Sequence, residues 1–207
     1  MSPDAVLGEA LWKCLHHPGE DTSTLISTDD GWRLEGLARI RFPEGPTTVR
    51  YVVDCTRDWG PKTARIELRR KRQDRVLHIQ VDSRGNWEVG GFRRKDLHGS
   101  AALDLAASPA TNTIAVRRLD LPIGGSQEIP VAWMTFPDLE VRPVRQRYSR
   151  LSNDNYRYEG LHNGFIAEFD VDELGFVLNY PGFWERVHPS RHGTRGRRPT
   201  PSMPRPR

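Results

Sequence analysis

Short segments in which apolar and polar residues alternate fill most of the chain, and turn signals separate them. Alternation with a period of two is typical of strands that bury one face of a sheet. No segment keeps a 3.6-residue apolar stripe over three turns, so we expect a mainly β fold of about ten antiparallel strands with few short helices. The clearest inward positions are Val49, Tyr51, Val53 and Cys55 in residues 48–55, and Ala64, Ile66 and Leu68 in residues 63–71.

The second half of the chain shows the same pattern. Residues 113–121 and 128–136 are predicted to be strands, and residues 141–160 and 164–181 are predicted to form hairpins. The best helix candidate is the short segment at residues 96–107.

Positive charge is concentrated at the end of the 207-residue chain. The formal net charge is +4, but residues 188–207 contain six arginines and no acidic residue, which leaves −2 for residues 1–187. The same segment has five prolines and a single large apolar residue, so it cannot offset the entropy of ordering. We expect residues 1–8 to be an N-terminal extension, residues 9–187 one domain, and residues 188–207 a disordered Arg/Pro-rich tail.

Several functional classes lack their sequence signals. The basic segment has no interleaved aromatic residues, so a nucleic-acid partner is not favoured. No apolar run approaches membrane-spanning length, and no secretory signal opens the chain. We therefore expect a cytoplasmic protein in which Cys14 and Cys55 are reduced. Phosphate-binding loops and the HExxH, GxSxG and CxxC motifs are absent, so we predict no cofactor, no metal and no catalytic residue.

Two adjacent arginines, Arg117 and Arg118, lie within the predicted strand at residues 113–121. Neighbouring residues of a strand point to opposite faces, so we expect one of the two guanidinium groups to point inward. An inward guanidinium requires a carboxylate, a carbonyl cluster or an anionic ligand. An internal ion pair with Asp104 or Asp54 and a ligand contact are both compatible with this pattern.

Two aromatic groups suit a binding surface. Tyr180 and Trp184 flank a Pro-Gly turn, where they could contact a sugar face, border an apolar cavity or simply pack a corner of the sheet. Tyr148 and Tyr158 lie on the predicted hairpin at residues 141–160, which could be a solvated sheet face or a polar cavity wall.

Four motifs carry a family resemblance: SPATNTIAVRRL at 108–119, AWMTFPDLEV at 132–141, QRYSR at 146–150 and FDVDELGFVLNYPGFWERV at 169–187. Over residues 9–187 the chain resembles a bacterial family named "putative glycolipid-binding". The resemblance implies a long curved antiparallel sheet that forms an open half-barrel, similar to bacterial carriers of lipoproteins and lipids. The chain departs from the family at GSAALDL (99–105), where a cysteine is replaced and only Asp104 remains of an acidic pair.

We therefore predict a binding protein that holds a small amphipathic ligand, a glycolipid or lipid-like molecule, on the concave face of the sheet. An enzyme using Asp104, Arg117 and Tyr180 in the same cavity is one alternative. A structural or interaction protein whose Arg/Pro-rich tail binds an acidic partner is another. The candidate ligand-binding residues are Asp104, Asn112, Arg117, Arg118, Tyr148, Tyr158, Tyr180 and Trp184.

Overall fold

One curved sheet forms most of the described part of the protein. The computed structural model describes residues 4–71 and 73–187, so the predicted tail at residues 188–207 lies outside the described residues. The predicted mainly β architecture is confirmed. The first strand begins at Ala5, within the predicted N-terminal extension.

Fifteen strands and one α-helix make up the regular structure of these residues. The strands of the first half are β1 (Ala5–Cys14), β2 (Gly19–Thr28), β3 (Gly31–Phe42), β4 (Gly45–Thr56), β5 (Pro61–Arg70), β6 (Gln73–Val81), β7 (Trp87–Val89) and β8 (Phe92–Arg94). The second half contains β9 (Ala102–Leu105), α1 (Asn112–Leu119), β10 (Ser126–Met134), β11 (Val141–Arg150), β12 (Asn155–Gly160), β13 (Phe165–Val171), β14 (Val177–Tyr180) and β15 (Trp184–Arg186). Two single 3₁₀ turns span Lys95–Leu97 and Pro109–Thr111.

Sequential hairpins account for most of the sheet, whose order is β8-β7-β6-β5-β4-β3-β2-β1-β15-β14-β13-β12-β11-β10-β9. The two halves join where β1 pairs with β15, with Trp12 opposite Arg186. Strands β9 and β10 form the one parallel pair of the described sheet, and the segment that connects them contains α1. Parallel neighbours require such a crossover connection, whereas antiparallel neighbours can be joined by tight turns.

The inward face follows the alternation predicted from the sequence. Val49, Tyr51, Val53 and Cys55 of β4 are all buried. The predicted inward residues of β5 are buried as well. Fully burying an aliphatic or aromatic side chain contributes roughly 1.5–3 kcal/mol, so this inward face supplies much of the stability of the sheet.

Residues 108–119 cross the inward face as a turn followed by a helix, so the strand predicted at residues 113–121 is wrong. Ser108 is extended, and its Oγ accepts a hydrogen bond from the backbone N–H of Ala110 at 3.1 Å. Pro109 occupies the first position of the turn, as is common at helix starts. The helix ends at Leu119, and Asp120, which follows it, adopts the left-handed conformation.

Residues 112–116 of the helix are all buried, so this part has no exposed face that would mark it as a helix in the sequence. The predicted helix at residues 96–107 is also wrong. That segment contains part of the Lys95–Leu97 turn and then β9, whose four-residue length is too short to show a clear alternation.

Two neighbouring side chains at the C-terminal end of α1 reach different parts of the sheet. Arg117 donates from Nε to the carbonyl oxygen of Leu174 at 2.9 Å, in the β13–β14 turn. Arg118 donates from Nη1 to the carbonyl oxygen of Asp58 at 3.0 Å and to its carboxylate at 3.1 Å, in the β4–β5 turn. One turn belongs to each half of the sheet, so α1 links the two halves.

The two ends of the sheet are joined by side chains as well. Arg75 of β6 donates to the carbonyl oxygen of Asp138 at 2.5 Å, and Arg94 of β8 donates to that of Val141 at 2.8 Å. These bonds bring one end of the sheet against the β10–β11 hairpin. They hold the sheet in a curved form around the segment that contains α1.

Candidate functional site

A pocket of about 210 Å³ opens to solvent beside the segment that leads into α1. It lies where the end of β9 meets the β12–β13 and β14–β15 turns. Aromatic residues form much of its wall: Trp133, Tyr158, Phe165, Tyr180, Phe183 and Trp184. Its polar lining residues are Asp104, Ser108, Asn112, His162 and Asn163.

The aromatic wall is a packed cluster contributed by neighbouring strands. The ring centroids of Tyr158 on β12 and Tyr180 on β14 are 6.4 Å apart. Phe165 of β13 stacks on Tyr180 at 6.3 Å and meets Phe183 edge to face at 5.2 Å. Such pairs add stability beyond the area they bury, so the wall is held in place before any ligand arrives.

A single carboxyl group, that of Asp104, lies in the pocket wall. Its Oδ2 accepts a hydrogen bond from Nε2 of the buried Gln146 at 2.7 Å, and its Oδ1 accepts one from Oγ1 of Thr111 at 3.3 Å. Burial raises the pKa of Asp104, and the two hydrogen bonds, followed by the charge of His162, oppose that shift. Neutral groups therefore fix the orientation of the carboxyl.

The charge of Asp104 contributes to the raised pKa values of two nearby tyrosines. Burial, and then the charge of Asp104, raises the pKa of Tyr158. Burial, followed by Tyr158 and Asp104, raises that of Tyr180. Both phenol groups are therefore protonated at neutral pH and can donate hydrogen bonds.

Asn112 is held from behind by a buried tyrosine. The hydroxyl of Tyr148 donates to Oδ1 of Asn112 at 3.0 Å, and Nδ2 of Asn112 donates to the carbonyl oxygen of Pro109 at 3.2 Å. Tyr148 is not among the lining residues. Its role in this geometry is to position Asn112 at the pocket wall.

Ser108 connects the pocket to a buried polar cluster. Its Oγ donates to Oδ2 of Asp21 at 2.5 Å and lies 2.8 Å from the hydroxyl of Tyr51. Tyr51 donates to the same carboxylate oxygen at 3.0 Å, and Ser23 is hydrogen-bonded to Tyr51. Burial raises the pKa of Asp21 to about 7, although the hydrogen bonds from Ser108, Tyr51 and Ser23 act in the opposite direction.

Five of the eight residues predicted from the sequence meet at the pocket, and one more supports it. The lining contains Asp104, Asn112, Tyr158, Tyr180 and Trp184. Tyr148 lies directly behind Asn112.

Arg117 and Arg118 lie outside the pocket, and the prediction that one of them points inward is wrong. Both are at the C-terminal end of a helix, where they are exposed or half-buried. Neither is paired with Asp104 or Asp54 in the described structure, and Asp54 pairs with Arg33 at 2.7 Å instead. The grouping of Asp104, Arg117 and Tyr180 considered for an enzyme does not form, since Arg117 binds the β13–β14 turn.

Sequence reasoning missed several residues of the site. Ser108, Trp133, His162 and Phe165 line the pocket, and the ring centroids of Trp133 and His162 are 5.1 Å apart. It also missed Asp21, although a signal existed. Asp21 and Ser23 share the inward face of β2 with Leu25, and polar residues at inward positions of a strand require buried partners.

The family model described as "Putative glycolipid-binding" matches residues 9–186. The chain belongs to this family. Among solved structures, a DUF1089 family protein of Pseudomonas aeruginosa is 34% identical, with a TM-score of 0.73 over 81% of this chain and 92% of the other. A beta-barrel-like protein of domain of unknown function DUF1849 from Brucella abortus shares the fold at 12% identity, with a TM-score of 0.50 over 86% and 94% of the chains. No curated protein gives a significant match.

The described residues include neither a metal-binding cluster nor a membrane-spanning helix. No group of three or more histidine, cysteine, aspartate or glutamate side chains among them is arranged to hold a metal ion. None of their helices has the length and apolar character needed to cross a membrane.

Proposed function

We propose that this member of the glycolipid-binding family binds a small amphipathic molecule and holds its polar head group in the pocket beside α1. The observation that carries the proposal is the composition of the pocket lining. Six aromatic residues line the pocket together with a carboxyl, an amide and a hydroxyl contributed by Asp104, Asn112 and Ser108. Apolar surface with a few fixed polar groups is the usual composition of a small-molecule site.

The size of the pocket limits which part of the ligand it holds. Sites for drug-sized molecules typically measure about 300–1,000 Å³, whereas this pocket measures about 210 Å³. It therefore accommodates one head group, such as a single sugar ring, while the rest of the ligand leaves through the open side. A ligand with its head group in the pocket and the remainder outside it agrees with the glycolipid named in the family description.

The proposal is tested by titrating n-octyl β-D-glucoside below its critical micelle concentration while recording NMR spectra. Trp133 is half-buried and lines the pocket. Trp133→Ala should weaken binding about tenfold, because burial of an aromatic contact contributes roughly 1.4 kcal/mol or more. The matched control is Trp32→Ala, since Trp32 is half-buried but stacks on Trp59 away from the pocket.

Saturable binding that is lost in Trp133→Ala and kept in Trp32→Ala supports the proposal. It is contradicted if octyl glucoside does not saturate the wild-type protein, or if both tryptophan variants bind equally well.

A further inference from the structure

We infer that the head group held in this pocket carries a positive charge, as a primary or quaternary ammonium group does. The inference rests on the proposed function and concerns the same pocket. It follows from the juxtaposition of one unpaired carboxyl, that of Asp104, with a wall of aromatic rings.

The charge balance of the site lacks a strong cation. Asp104 is the sole acidic residue in the lining, and the lining contains no lysine or arginine. The one basic side chain in the lining is His162, whose charge opposes the rise in the pKa of Asp104. Both hydrogen-bond donors to its carboxyl, Gln146 and Thr111, are neutral. Within the described residues, Asp104 takes part in no ion pair, whereas other acidic residues such as Asp54 and Asp172 are paired with arginines.

This arrangement is energetically unfavourable for the charged carboxyl. A carboxyl that is taken out of water without a cationic partner is disfavoured in its charged form, and burial accordingly raises the pKa of Asp104. A ligand cation would provide the missing partner. It would therefore gain from Asp104 a stabilisation that a neutral head group of the same shape cannot obtain.

The aromatic part of the pocket wall also favours a cation. Aromatic rings attract cations through the negative potential of their faces, most strongly when water is excluded. Tyr158, Phe165, Tyr180 and Phe183 form one continuous cluster with centroid separations between 5.2 and 6.4 Å. An ammonium group next to Asp104 would lie in the same small pocket as this cluster.

The test compares two probes that differ only in charge. Choline and 3,3-dimethylbutan-1-ol have the same shape, but the second has carbon in place of the charged nitrogen. We expect choline to bind the wild-type protein about tenfold more tightly, which corresponds to about 1.4 kcal/mol from the cation–aromatic and ion-pair contributions together. Asp104→Asn should markedly reduce this preference and leave only the part that the aromatic rings contribute.

The matched control is Asp138→Asn, which removes the same charge from an exposed turn outside the pocket and should keep the preference. A second measurement does not depend on any variant. Choline should displace octyl glucoside from the wild-type protein at concentrations where the uncharged alcohol does not. This competition keeps the inference testable if Asp104→Asn fails to fold.

Equal affinities for the two probes, or an unchanged preference in Asp104→Asn, would overturn the inference. If octyl glucoside still bound in the manner described above, the proposed function would stand without a charged head group. If neither octyl glucoside nor choline bound, both proposals would fail.

A final comparison identifies the source of the ammonium group. Octyltrimethylammonium, used below its critical micelle concentration, should bind more tightly than tetramethylammonium if the natural ligand is a lipid head group. Equal affinities for these two cations would assign the pocket to a free soluble amine.

Discussion

Ser108 donates a hydrogen bond to Asp21 across 2.5 Å, although 87 positions separate the two residues in the chain. Asp21 lies on β2, in the first half of the sheet, and Ser108 lines the pocket in the second half. The carboxyl is completely buried and has hydroxyl partners rather than a basic one. The segment that leads into α1 is therefore attached to the sheet by a group whose charge depends on pH.

Asp21→Asn should change how stability depends on pH. Burial raises the pKa of Asp21 from 3.8 to about 7, so the folded state favours the protonated carboxyl. The contribution of the protonated carboxyl to the free energy of unfolding is fully present below about pH 4 and is lost as the pH rises toward 7. Relative to the wild type, the unfolding free energy of the variant should rise by up to about 4 kcal/mol over that interval.

Urea unfolding at pH 4 and pH 7.5 measures the difference, and Asp138→Asn at an exposed position is the control. Parallel pH profiles for the wild type and Asp21→Asn would show that the buried carboxyl does not titrate in this range.

Gly36→Ala should destabilise the protein. A Cβ atom at Gly36 would overlap the phenol end of Tyr51 on the neighbouring strand, and that end forms the hydrogen bonds to Asp21 and Ser108. Overpacking of this kind costs roughly 1–3 kcal/mol, which thermal or urea unfolding will detect. In a Tyr51→Leu background the penalty should shrink, and an unchanged penalty there would assign the effect to the backbone instead.

Arg117→Met and Arg118→Met should lower stability without affecting ligand affinity directly. Each variant loses hydrogen bonds to backbone carbonyl oxygens of a turn, at a cost of about 1 kcal/mol. Neither residue lines the pocket, so the dissociation constant for octyl glucoside should stay within about twofold. A tenfold loss of affinity in either folded variant would show that the substituted arginine contributes to ligand binding.

Asp120→Gly should stabilise the protein by about 0.5–1 kcal/mol. Asp120 is exposed and has φ of 38° and ψ of 49° at the end of α1, a conformation that glycine adopts without steric cost. Its negative charge is also unfavourable at the C-terminal end of a helix. Asp120→Asn removes only the charge, so equal gains in the two variants would attribute the effect to charge alone.

Cys55 should be inert toward thiol reagents in the folded protein. Burial raises its pKa to about 12, and the neighbouring charge of Asp54 acts in the same direction, whereas the thiolate is the reactive form. In a Cys14→Ser background, modification should be slow in native buffer and rapid in denaturant. Fast native labelling would show that β4 opens locally.

Sequence alone predicts the parts of this fold that depend on local pattern. Alternation identified the buried faces of β4 and β5 because each strand is long and has one inward side. It failed at α1, an eight-residue helix whose first five residues are all buried and therefore show no exposed face. The Ser-Pro pair before it is a helix-start signal that outweighs the alternation.

The pocket was only partly predictable for a different reason. Tyr158, Tyr180 and Trp184 are aromatic residues near predicted turns, so their residue type and position in the sequence single them out. Ser108 and Asp21 meet because the sheet curves and α1 crosses it. That proximity depends on strand pairing along the whole chain, so no local sequence pattern predicts it.

The attachments of the α1 segment have a consequence for folding kinetics. The bonds from Ser108, Arg117 and Arg118 span 87, 57 and 60 positions, and contacts of such long separation form slowly because large loops must close first. Each bond also requires a partner strand or turn that already has its place in the sheet. The segment that contains α1 is therefore anchored to both halves of the sheet only after each half has assembled, and these attachments should form late in folding.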